Sequence, residues 1–147
     1  MELRLKYDEI SSLIEKKAGR ALPMAYGGPH TVRISYDVNV LFKNATVGLD
    51  LTVDGIEGGD IYLTYSGGAG IDFMVKQAIS MARNRPGGEF IEPLEGSRLK
   101  LGLGRLTAGA QSQMGAGTVS LLDYIELDDI RFDEQYAIVC FHPKGVN

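Results

Sequence analysis

Hydrophobic and polar positions change period along the chain, and each change marks an element. Leu3 and Leu5 alternate with charged neighbours, the pattern of a short strand. From Asp8 to Ala18 the apolar residues Ile10, Leu13, Ile14 and Ala18 fall at helical spacing. Asp8 is placed as N-cap, Glu9 suits the positive end of the helix dipole, Lys16 and Lys17 suit the other end, and Gly19 is a natural C′ residue. After Tyr26-Gly27-Gly28-Pro29 the period becomes two. Val32, Ile34, Tyr36 and Val38 alternate with polar residues, then Val47, Leu49, Leu51 and Val53, then Ile61, Leu63 and Tyr65. Lys43-Asn44 is read as the first polar turn, and Asp54-Gly55 and Gly58-Gly59-Asp60 punctuate the next connection. Short turns between consecutive strands predict antiparallel pairing with one buried face.

Helical spacing returns from Ile71 to Arg83. Ile71, Met74 or Val75, Ala78, Ile79 and Ala82 form the apolar stripe, which Phe73 and Met81 widen; Pro86-Gly87-Gly88 ends it. Leu99, Leu101 and Leu103 then alternate with Lys100 and glycines. Thr107 to Gly117, TAGAQSQMGAG, reads as a loop. Val119–Ile125, Ile130–Phe132 and Tyr136–Phe141 read as further strands, the last apolar on both faces. The order predicts one α+β domain with an antiparallel sheet packed on the Ile71–Ala82 helix. Many of the nineteen glycines lie in or beside strands, which points to strong curvature.

Composition narrows the function classes. The chain has 147 residues, 44% hydrophobic and 23% charged, enough to bury a core without disulfides or metal. A formal net charge of -4 argues against general nucleic-acid affinity and against a polybasic membrane anchor. No apolar run has membrane-spanning length and no signal-type segment opens the chain, so cytoplasmic residence is the expectation, or export if a leader has been removed. One cysteine, Cys140, excludes an intramolecular disulfide and, with two histidines, leaves little material for a metal site.

The candidate chemistry is sparse. Gly67-Gly68-Ala69-Gly70 sits at a strand-to-helix turn, where backbone N–H groups can bind phosphate. It lacks the lysine of GxxxxGK[ST], and Phe73 stands where GxGxxG needs its third glycine, so a tight turn is the simpler reading. Gly102-Leu103-Gly104-Arg105 precedes no helix. Asp123, Glu126, Asp128, Asp129, Asp133 and Glu134 read as a solvated strand face and turn. His30 and His142 read as loop residues, and Cys140 as an inert thiol in an apolar strand. No nucleophile–base–acid set can be named, and neither a catalytic residue nor a cofactor is assigned.

The opening helix from Tyr7-Asp8-Glu9-Ile10 to Ala18, the stretches VGLDLTVDG from Val47 and DIYLTY from Asp60, and the closing LLDYIELDDIRF and YAIVCF resemble the tubular lipid-binding superfamily, in particular its small bacterial members. The resemblance implies a curved antiparallel sheet around a long helix and non-enzymatic binding of a lipid. Thr107–Gly117 and the absence of an export signal depart from that pattern. The expectation is a non-catalytic module for a lipid-like or other hydrophobic ligand. Its lining residues would be Val47, Leu49, Leu51, Phe73, Ile79 and Leu101, with Met24, Met74, Met81 and Met114 as adaptable neighbours. The alternative is a small structural or protein-interaction domain with a filled core and no ligand.

Overall fold

The computed structural model describes residues 1–18, 22–84, 90–102 and 124–145. Its elements are β1 Glu2–Lys6, α1 Tyr7–Ala18, β2 Met24–Gly28, β3 Thr31–Val40, β4 Lys43–Glu57, β5 Asp60–Gly67, α2 Ile71–Arg83, β6 Ile91–Leu94, β7 Arg98–Gly102, β8 Ile125–Phe132 and β9 Tyr136–Pro143. Helix α1 starts at Tyr7, so Asp8 joins Glu9 in the first turn and is not the N-cap; both still suit the dipole. The segments MAYGG and IEPL form the unexpected strands β2 and β6. Both lie at the edges of a sheet, where glycine and proline are tolerated. Gly19, the Thr107–Gly117 loop and the stretch 119–123 lie outside the described residues.

The architecture is α+β with antiparallel sheets, but the described strands form two sheets where one curved sheet was expected. One has three strands in the order β1-β9-β8; the other has six, β2-β3-β4-β5-β7-β6. The β2–β3 turn joins them. Its Pro29 carbonyl accepts from Phe132 N–H of β8 at 2.8 Å, and its His30 carbonyl accepts from Val53 N–H of β4 at 2.8 Å.

Alternation sorts the six-stranded sheet into two unlike faces. Register pairs Val32 with Leu51, Ile34 with Leu49, Leu51 with Tyr65, Val53 with Leu63 and Leu63 with Leu99, giving a continuous apolar face. The other face carries cross-strand polar pairs. Thr31 and Thr52 hydroxyls lie 2.8 Å apart, Arg33 Nε donates to Asp50 at 2.9 Å, and Thr46 donates to Asp37 at 2.9 Å. These pairs also decide the turn, which the structure places at Leu41-Phe42 and not at Lys43-Asn44. A turn at Lys43-Asn44 would set Asp37 opposite Asp50 and the buried Val32 opposite Gly55. Like charges directly opposite are unfavourable, and Val32 would lose its apolar neighbour.

Two bulges let apolar residues keep one face while their spacing slips. Beyond the irregularity at Val53/Gly55, Ile56 pairs with Ile61. In β8 the bulge between Leu127 and Asp129 moves the inward set from Ile125 and Leu127 to Ile130 and Phe132. The expected strand Ile130–Phe132 is therefore the second half of a longer strand that already begins at Ile125.

The main buried cluster joins Val53, Ile61, Leu63, Tyr65 and Leu99 of the sheet to Val75 and Ile79 of α2. Those helical residues are four apart and so share one side of α2. Leu127, Ile130 and Phe132 of β8 pack against the same cluster. A second cluster gathers Tyr7, Val32 and Ala137, with Ile10 and Met24 beside it. The strand-to-helix turn is tight, as expected. Gly70 caps α2 at φ 84, and a Cβ at Gly67 would lie 2.8 Å from Ile71 Cγ1 and 3.1 Å from Gly48 O.

Candidate functional site

The six expected lining residues separate into three positions. Leu49, Leu51 and Leu101 are half-buried against the main cluster, and Ile79 is buried within it. Val47 lies further out on the same face of β4, half-buried and paired with Tyr36. Phe73 is 70% exposed on α2 and does not join them. A wide helical stripe does not say which part meets the sheet. Val75 and Ile79 do so, and Phe73, two residues before Val75, is turned ~200° away from it. Among the described methionines, Met24 and Met74 are half-buried and Met81 is exposed.

The apolar face runs on past the buried cluster. Helix α2 packs mainly on β5 and β6, and β8, beyond its sheet partner β9, meets β4, β2 and β3. The pairs Ile34–Leu49 and Tyr36–Val47 extend the apolar row along the β3–β4 hairpin, and all four residues are only half-buried. No large side chain among the described residues is less than 2% exposed.

The three-stranded sheet gathers a charged surface that the sequence reading did not assemble. Two carboxylates of β8 meet one imidazole of β9: Glu126 pairs with His142 in register and its Oε2 lies 3.2 Å from Nε2, while Asp128 Oδ1 lies 2.6 Å from Nδ1. His142 is thus a strand residue, not a loop residue. His30 does lie in a turn, with Nε2 3.4 Å from Asp129 Oδ2. Arg131 pairs with Glu2 at 3.1 Å and donates to Cys140 Sγ at 3.5 Å; that contact leads the effects raising its pKa. Cys140 is accordingly half-buried beside a cation across the strand, in place of the purely apolar setting expected. The carboxylate run was visible in sequence, but its histidine partner depends on the pairing of β8 with β9. Chemically the surface is a set of cross-strand polar contacts in which Glu2, Glu126, Asp128 and Asp129 meet His30, Arg131 and His142. Among the described residues, no group of three or more His, Cys, Asp or Glu side chains is arranged to hold a metal ion.

A shallow concavity of about 430 Å³ lies where α1 leaves β1, lined by Lys6, Tyr7, Asp8, Met24, Gln135 and Tyr136. None of the expected lining residues borders it. The Tyr7 hydroxyl donates to Asp133 O at 2.5 Å, and burial, then the Asp133 charge, raises its pKa. The Asp133 carboxylate accepts from Gln135 N–H at 2.8 Å and Tyr136 N–H at 2.6 Å, which holds its pKa below the usual carboxylate value. These contacts pin the β8–β9 turn to α1.

No family model, no curated protein and no solved structure matches this chain. Among the described residues, no helix is long and apolar enough to cross a membrane.

Proposed function

We propose that the protein is a non-catalytic binding module for a lipid-like or other apolar ligand, held against the apolar face of the six-stranded sheet. The observation that supports it is the half-buried row Ile34, Tyr36 and Val47, which continues that face along the hairpin from Leu49 at the edge of the packed cluster. An acyl chain laid along it would gain about 0.8 kcal/mol for each CH₂ taken out of water. Leu51, Ile79 and Leu101 lie in or against the packed cluster from which that row extends, and Phe73 is exposed away from it. The likeness to tubular lipid-binding proteins, with the sheet curved about α2, belongs to this same reading. So does the absence of a catalytic role for the charged surface on β8 and β9.

A second reading has its own observation. Four expected lining residues contact one protein cluster, as in a filled core, which favours a structural or protein-interaction domain. Native mass spectrometry of protein purified from its host, followed by organic extraction, separates the two. A ligand module carries a reproducible excess mass that extracts as lipid and falls in the Val47→Gln variant. A clean protein mass, with no saturable uptake of an anilinonaphthalene probe by the folded protein, leaves the filled-core reading.

A further inference from the structure

The β3–β4 hairpin outruns its neighbours. Strand β2 is in register with β3 only as far as Ile34, and β5 with β4 only as far as Leu49. The six pairs from Ser35–Gly48 to Val40–Lys43 form a two-stranded arm, which at about 3.4 Å per residue projects ~17 Å. Leu41 and Phe42 make its apex, 87% and 102% exposed. Both occupy the left-handed region, at φ 50 and 66. A two-residue turn with two positive φ values favours Asn-Gly. Leucine and phenylalanine there incur backbone strain and expose apolar surface together.

The charge around the apex is equally uneven. Between Asp37 and Asp50 the only charged residue is Lys43, next to the apex, in a chain whose formal net charge is -4. Asp37 lies four residues back from Leu41, ~13 Å along the strand and more than one Debye length of about 8 Å at physiological salt. The protein therefore presents an apolar, locally cationic point on an acidic body.

We propose that the tip Leu41-Phe42-Lys43 docks the protein on an anionic lipid bilayer, with the two apolar side chains in the interfacial layer and Lys43 among the headgroups. An exposed apex reaches a flat fluid layer without needing a shaped receptor. Lys43 supplies the charge complementarity, and the arm holds the acidic body off the surface. Two side chains and one cation make a weak, reversible contact, with a partition constant on the order of 10⁴ M⁻¹ or less. The proposal is independent of a ligand on the sheet face.

The chain contains no tryptophan, so Phe42→Trp places a unique fluorophore at the tip. With phosphatidylcholine vesicles containing about one-third phosphatidylglycerol, its emission should move to the blue. Acyl chains carrying bromine should quench it, and pure phosphatidylcholine should give a smaller response. The Leu41→Asn/Phe42→Gly double variant, which keeps a favoured turn and should fold, should lose at least about tenfold in vesicle flotation. Lys43→Glu should abolish the preference for the anionic vesicles. Unchanged tryptophan emission, or flotation that survives the double variant, would overturn the proposal. So would emission already blue-shifted without lipid in a concentration-dependent way, which would mean that protein covers the tip.

Discussion

From Leu49 to Glu57, β4 is paired with β5, and its apolar side chains join or border the main buried cluster. From Lys43 to Gly48 the same strand pairs only with β3 and ends at an exposed apolar turn. Both halves alternate, so hydrophobic pattern alone does not distinguish them. In the inner half, burial against Val75 and Ile79 supplies the stability. Near the base of the arm, Arg33–Asp50 and Asp37–Thr46 help to hold the register, and its apolar residues Ile34, Tyr36 and Val47 are half-buried. One strand thus contributes to a core and then runs out through half-buried positions to an exposed apolar turn.

The largest effect should come from the inner half. Ile79→Ala removes a buried side chain between α2 and the sheet and should cost about 2–5 kcal/mol, read from urea unfolding with an unchanged slope. Val47→Ala, on the half-buried arm, should cost less than about 1 kcal/mol. Equal losses would mean that the arm is covered as fully as the core, and the contrast would fail.

A smaller effect should come from the link that seats α2. The Tyr65 hydroxyl, on a side chain only 3% exposed, donates to Asp72, whose other oxygen meets Lys76 Nζ at 3.0 Å. Burial, then the hydrogen bond to Asp72, raises the Tyr65 pKa. The bond from Tyr65, followed by Lys76, lowers that of Asp72. Because the folded-state Asp72 value is depressed, its stabilisation is fully present above the unfolded carboxylate value of about 3.9 and is lost as pH falls through the folded value. Tyr65→Phe should cost about 1 kcal/mol at neutral pH. Asp72→Asn should flatten the acid limb of the stability curve. Asp133, shifted the same way, keeps part of that slope. An acid limb unchanged by Asp72→Asn would remove this link from the account of the inner half.

What was legible in the sequence follows from locality. The alternation of Val32 to Val38, Val47 to Val53 and Ile61 to Tyr65 located three strands and their buried face, and the 3.6-residue period located α2. That brought Leu49, Leu51, Ile79 and Leu101 to one cluster. What escaped depends on partners distant in sequence. The shift from Leu127 to Ile130 reads as a break between strands until β9 shows it to be a bulge. The pairing of β8 with β9 also gives His142 its two carboxylates. Turn chemistry favours Lys43-Asn44 over Leu41-Phe42, and only the cross-strand pairing reverses that preference. The division into two sheets likewise requires β1 to meet β9, from opposite ends of the chain.

The smallest expected effect on stability has the opposite sign. Replacing Leu41-Phe42 by Asn-Gly eases two left-handed positions but adds the unfolded-state entropy of glycine, about 0.5–1 kcal/mol. Glycine removes the strain at its own position, roughly 1–2 kcal/mol, while asparagine still carries most of it at the other, so the net change in urea unfolding should be a gain of a few tenths to about 1 kcal/mol. A gain together with lost vesicle binding would mean that the native pair carries a folding cost and is useful at the arm's tip. A loss greater than about 1 kcal/mol would mean that Leu41 and Phe42 pack against the protein in solution. The outer half of β4 would then owe its stability to burial, as the inner half does.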